Sequence, residues 1–311
     1  MKITLKNAKL PTVIAAAVAL TCAPGLRGFG QATPDSSSAL PVHDIQQIIG
    51  AQGTMSDGVL DISIDREDIK PVQGPVYRPV TFTPSFELNG DITFQSLAGG
   101  RAFMNGDLPL KEEETQRFIG ALINNGLIVQ AYHQHFPMHP QIWFIHFRGE
   151  GAPRALARAV RSAIDTTSTP LPQQMPSNPT SPLDAQRLGR ILHGMASVGN
   201  DGVVTVSVNR ADKITIDNIV VKPEANIYTQ VEFKPLGGST AAVVPDMAMK
   251  AGEVRRVVDL MFNHYDWAQG CLYNQETNET PQLYFDHMLK IGNAYELAEQ
   301  IRQGLNLTAS E

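Results

Sequence analysis

Apolar and polar positions alternate over Val59–Asp65 (VLDISID) and again over Val203–Asn209 (VVTVSVN). A period of two places every second side chain on one face, so each run predicts a half-buried β-strand. The dipeptides Asp57-Gly58 and Asp201-Gly202 supply the turns that lead in. Between Lys111 and Asn125 the spacing changes. Phe118, Ile119 and Leu122 recur at helical intervals, the acids Glu112–Glu114 occupy the first turn, and Asn125-Gly126 supplies the stop. Further helices are predicted at 42–49, 151–164 and 182–192. Short strands broken by glycine are predicted at about 79–88, 91–97 and 101–107, and a hairpin from strands 127–135 and 141–148. The order β-rich, α, ββ, α predicts an α+β fold on an antiparallel sheet with about three helices.

The pattern occurs twice. Gly50–Asp68 lies over Gly194–Asp212 without a gap, Phe94–Lys111 over Phe233–Lys250, and Pro140–His146 over Pro281–His287. A period of about 140 residues is too long for a solenoid and predicts two tandem homologous domains. They are expected at 43–165 and 183–307, after a short segment 33–42. Between them, residues 166–182 (TTSTPLPQQMPSNPTSP) hold five prolines and no charge, the composition of a stiff, extended linker.

The N-terminus alters what composition means. Lys2, Lys6 and Lys9 precede a twelve-residue apolar run, Leu10–Thr21, the pattern of a secretory signal peptide and too short to span a bilayer. Cleavage is expected near Ala32, giving a periplasmic or secreted protein without a transmembrane segment. Cys22 is the position for a lipid anchor, although Ala19-Leu20-Thr21 is a poor lead-in. Loss of residues 1–32 removes four cations and no acid, moving the formal charge from -6 to -10. That acidity argues against nucleic acid as a partner. Cys271 is then the remaining cysteine, so no disulfide is expected.

Candidate chemistry is concentrated in one segment. His133, His135, His139 and His146 fall within fourteen residues, as Tyr132-His133-Gln134-His135-Phe136-Pro137-Met138-His139 and then His146. On a strand, His133 and His135 share a face. A hairpin centred between His139 and Pro140 places His146 opposite His133 on that face. Three convergent imidazoles suit zinc, copper or iron and leave a position for water or another ligand. Asp107 or Glu112 is a candidate auxiliary carboxylate that the spacing does not itself require, and His139 is expected at the surface of the turn. A polar pocket holding a small ligand without metal fits the same residues.

The second copy keeps His287 at the position of His146, but Leu272 and Asn274 stand where His133 and His135 stand. No three-histidine site can form there, and His287 is expected to be structural. Arg66-x-Asp68 and Arg210-x-Asp212 end the first strand of each copy. The expectation is a turn fixed by an ion pair, with Arg66 as an alternative anion contact. Asp107 and Asp246 are expected as strand-exit or capping residues.

Gly106–Gly149 resembles the bacterial LppY/LpqO family, exported or lipid-anchored proteins that carry a domain of unknown function. The matching elements are Gly106-Asp107, Glu112–Glu114, Ala131-Tyr132-His133-Gln134-His135, Phe144-Ile145-His146-Phe147 and Arg66-Glu67-Asp68. Gln134 replaces the usual Asn, and the second copy lacks the histidine pair. The resemblance implies export and duplication and carries no established activity. The sequence thus points to an envelope protein that binds a metal or small ligand. A metal-dependent enzyme using the same histidines and a purely structural interaction protein are the alternatives.

Overall fold

The computed structural model describes residues 39–175 and 178–311. The expected signal peptide, its cleavage near Ala32 and Cys22 lie outside the described residues. Helix α1 (Val42–Ile49) leads into a hairpin, β1 (Thr54–Ser56) and β2 (Val59–Asp65). Asp57 and Gly58, at φ 43° and 76°, make its turn. Strand β2 has the extent its alternation predicts. Its apolar positions Leu60, Ile62 and Ile64 are fully buried beneath α1.

The expected strand at 79–88 is shorter. Strands β3 (Val72–Gln73) and β4 (Thr81–Phe82) pair for two residues. The chain then turns back on itself where Thr83 and Phe86 exchange backbone hydrogen bonds. Glu87, at φ 69°, lies in a left-handed conformation that a strand cannot continue.

Strands β5 (Asn89–Leu97) and β6 (Arg101–Lys111) follow, then α2 (Glu112–Asn124), β7 (Ile128–His133), β8 (Ile142–Gly151) and α3 (Pro153–Ile164). Glu114 closes the N-terminus of α2 by accepting the Lys111 backbone N–H at 3.0 Å. Asp107 is therefore neither a strand exit nor a cap. Strand β6 runs four residues beyond it, and the same holds for Asp246 in the second half.

The second half comprises α4 (Ala185–Leu192), β9 (Met195–Val198), β10 (Val204–Val208), β11 (Ile214–Ile216), β12 (Ile219–Val221), β13 (Thr229–Gly237), β14 (Thr240–Lys250), α5 (Ala251–Val258), β15 (Ala268–Tyr273), β16 (Glu279–Thr280), β17 (Leu283–Asn293) and α6 (Ala294–Leu305). Each half forms a six-stranded antiparallel sheet, β1-β2-β5-β6-β8-β7 and β9-β10-β13-β14-β17-β15, so the strand order repeats. The longer loop 275–280 supplies β16, which extends the small sheet β12-β11-β16. Among the described residues no helix is long and apolar enough to cross a membrane.

Both halves fall within one compact unit. Helices α1–α3 cover one face of the first sheet and α4–α6 one face of the second, each over an apolar core. The opposite faces meet. Phe136, Met138 and Phe144 pack there with Val244 and Leu289, and Val59 and Phe103 with Ala248 and Phe285. The result is four layers, α/β/β/α, in which the two inner sheet faces bury each other. The start of the proline-rich segment lies along the first half, where Gln173 donates to the Asp65 carbonyl at 2.7 Å and accepts from the Asp65 backbone N–H at 3.0 Å.

Candidate functional site

The inner faces are unusually polar. Strand alternation that sends Ile92 and Met104 into the first core sends Asp91, Asn105 and Asp107 toward the second sheet. The register repeats this in both copies. Asp107 stands directly across from His146 on β6 and β8, and Asp246 directly across from His287 on β14 and β17. Two aspartate–histidine pairs thereby face one interior cavity of about 80 Å³ between the sheets. Glu87, Asp91, Asp107, Glu232 and Asp246 line it with His135, His146 and His287; among the described residues no Lys or Arg does.

The hairpin register differs from the expected one by two residues. Ala131 is opposite His146 and His133 opposite Phe144, after a bulge between Val129 and Ala131. A shift of two keeps the face, so the three histidines remain neighbours. The ring centroids of His133 and His135 are 5.1 Å apart, and those of His133 and His146 are 5.0 Å apart. His135 lies beyond the end of β7 and departs from the other two. Its ring is stacked between Phe144 at 3.4 Å and His287 of the second half at 3.7 Å. Glu87 Oε2 is 2.9 Å from His135 Nδ1. Glu87, His135 and His287, all buried, offer one ligand atom each within 4.8 Å of one another. His135 Nε2 is buried without a hydrogen-bond partner.

His133 and His146 gather instead around Tyr273. The His133 ring stacks on it at 3.8 Å, and Tyr273 Oη is 3.3 Å from His146 Nε2. Both ring nitrogens of His133 are buried without a partner. Gly270 permits this meeting of the halves. A Cβ there would stand 2.7 Å from the His287 carbonyl oxygen and 2.8 Å from that of His135. His287, expected as a structural residue, has Asp246 Oδ1 at 3.4 Å and Cys271 Sγ at 3.6 Å from its Nδ1.

The other candidates lie elsewhere. Glu112 and His139 are exposed. The Arg66 guanidinium, fully buried, binds Asp68 Oδ1 at 2.8 Å, Glu114 Oε2 at 2.8 Å and the Pro109 carbonyl. Arg210 repeats the arrangement with Asp212, Glu253 at 3.1 Å and the Ala248 carbonyl. The ion-paired turn therefore describes Arg66, and an anion contact does not, because its donors face the protein's own oxygens.

Sequence reasoning missed Glu87, Glu232 and Tyr273, which stand in no motif. Asp246 and His287 carried a signal, since both fall at matched positions of the repeat.

Burial sets the protonation of the cavity. It pulls His133 down to about 3, and holds His135, His146 and His287 well below the ordinary imidazole value with help from neighbouring imidazoles. Neutral imidazoles with free lone pairs are metal-ready. Burial also raises the acids: Asp107 to about 8, assisted by Asp91, and Glu232 to about 8, while Glu87 and Asp246 lie well above ordinary carboxylates.

The pH dependence of stability follows. A carboxyl whose folded pKa is raised contributes stability below its unfolded value of about 4 and loses it as pH rises toward the folded value. The lowered imidazoles oppose folding only as pH falls through about 6.5. Above that pH the carboxyls act alone. The metal-free protein is therefore expected to lose stability between about pH 6.5 and 8, by on the order of 1 kcal/mol per pH unit for each such acid. Thermal unfolding in matched buffers measures this, and a melting temperature that climbs over the interval contradicts it.

The family model described as Domain of Unknown Function (DUF1259) matches residues 43–166 and again residues 186–307. The chain belongs to this family. Its two copies are the two halves whose sheets face each other. No curated protein matches the chain. Among solved structures, the trimeric bacterial microcompartment shell protein PduB is similar at 10% identity and a TM-score of 0.19. That match covers 83% of this chain and 92% of that one, and at such a score it does not bear on fold or function. Within the family frame, the first copy supplies Glu87, His135 and Asp107, and the second supplies His287, Asp246 and Tyr273.

Proposed function

We propose that the protein binds a divalent transition metal ion between its two DUF1259 copies, with His135, His287 and Glu87 as ligands. The carrying observation is their convergence inside a cavity lined by five carboxylates and no Lys or Arg among the described residues. Buried carboxylates without a countercharge are costly, and a bound cation removes that cost. Two imidazoles and a carboxylate suit zinc, copper or iron and leave a coordination position open.

Export belongs to the same proposal. The basic segment and short apolar run at the N-terminus, with the resemblance to LppY/LpqO proteins, support a metal- or ligand-binding protein of the cell envelope. A catalytic use of the ion is the second reading. The observation favouring it is Asp107, a carboxyl raised to about 8 in the same cavity and within the range of a general acid or base.

The test is titration of residues 33–311, stripped with chelator, with Zn²⁺, Cu²⁺ and Fe²⁺ by calorimetry, alongside elemental analysis of protein that was never stripped. The expected result is saturable binding of one ion per chain. No bound metal in either experiment rejects the proposal.

A further inference from the structure

A second chamber opens beside the metal cavity and has its own chemistry. It has a volume of about 500 Å³, within the range of small-molecule sites. Asn89, Asp91, Tyr228 and Gln230 border both spaces, so the two adjoin. The first half supplies the acidic wall: Asp61, Asp65 and Glu67 along and just after β2, and Asp91 on β5. Among the described residues no Lys, Arg or His lines the chamber. Pro170, Pro172 and Met175 of the proline-rich segment, with Val198 of the second half, add apolar surface.

The strand register arranges three of these acids. Asp61 and Asp65 lie on one face of β2, four residues apart and so about 13 Å from each other. Asp91 is paired with Ser63 between them on the neighbouring strand, which puts it about 8 Å from each. Asp65 and Asp91 accept hydrogen bonds from Ser85 and Ser63. Asp61 does not share this support, because its Oδ1 is buried and has no hydrogen-bond partner. A buried carboxylate oxygen in that state calls for a donor.

We propose that this chamber binds a linear aliphatic polyamine, its ammonium groups meeting Asp61, Asp91 and Asp65 in turn and its methylenes lying against the proline and methionine wall. The carboxylate spacing suits a triamine with about three to four methylenes between nitrogens, each ammonium donating at about 3 Å. A metal cation satisfies neither the length of the row nor the apolar wall. This proposal stands apart from the metal site and does not require it.

The test is calorimetry of metal-stripped protein with spermidine at about 150 mM salt, beside butylamine and Mg²⁺. Saturable spermidine binding is expected, at least tenfold tighter than butylamine, with no competition from equimolar Mg²⁺. Asp61→Asn and Asp91→Asn are each expected to weaken it at least tenfold, while Asp44→Asn, at a surface ion pair with Arg154, leaves it unchanged. Circular dichroism and thermal unfolding identify variants that fold, and either aspartate variant alone suffices. Absence of saturable binding overturns the proposal, as do aspartate variants that bind like the parent, or Mg²⁺ that displaces spermidine mole for mole. Because the protein is metal-free throughout, failure here leaves the metal proposal standing, and failure there leaves this one.

Discussion

Replacing His287 with alanine is expected to weaken metal binding by about 100-fold or more, although His287 lies in the copy that lacks the histidine pair. Loss of an outer-shell partner already costs about 10–100-fold, so loss of a direct ligand sets that range as its floor. The geometry makes the prediction specific. The His287 ring stacks on His135 at 3.7 Å, and both belong with Glu87 to one group of converging donors. His146 is its counterpart by sequence, yet it meets Tyr273 Oη at 3.3 Å. His146→Ala and His133→Ala are therefore expected to shift affinity by no more than about tenfold, the lower end of outer-shell effects. Competition titration against a chelating indicator measures all three variants. A His287→Ala protein that binds like the parent, beside a His133→Ala or His146→Ala protein that does not, would restore the three-histidine set and discard the one proposed.

The second large effect concerns stability. Arg66→Ala is expected to cost about 3–5 kcal/mol, because it leaves the buried Glu114 without its countercharge and Asp68 with Lys111 alone, at 2.7 Å. For a chain of this size, that corresponds to a fall in melting temperature of roughly 10 °C. Glu114 has further duties. It accepts the Lys111 backbone N–H at the start of α2, and the Ser168 backbone N–H and hydroxyl at 2.8 and 2.7 Å. Arg66 therefore orders the β6–α2 junction and the start of the linker together. Arg210→Ala is expected to act similarly through Asp212 and Glu253. Thermal denaturation of both variants is the measurement. A loss below about 1 kcal/mol would reduce these clusters to surface-like ion pairs.

Much of the local structure was legible because it depends on neighbours in the chain. Alternation over Val59–Asp65 yields β2, and the spacing of Phe118 and Leu122 with Glu114 at the start yields α2. The strand expected at 79–88 failed where Glu87 takes a positive φ, a conformation no apolar pattern reports. The histidine cluster was found as a cluster, but its division was not. His135 leaves the strand after β7 ends and meets His287 on β17, whereas His133 and His146 meet Tyr273 on β15.

The sequence by itself determined the duplication, the strand and helix types, the paired Arg-x-Asp turns and the concentration of imidazoles in one copy. Each rests on spacing within a few residues or on likeness between two segments. Only the tertiary structure decided that the copies bury their polar sheet faces against each other. That packing brings Glu87, 48 residues before His135, and His287, far beyond it, into one group. The physical reason is that alternation reports which side chains share a face of a strand and not what the face meets. A row of Asp, Ser, Asn and His reads as solvent-facing until a second sheet covers it, and burial then makes the same residues a candidate site.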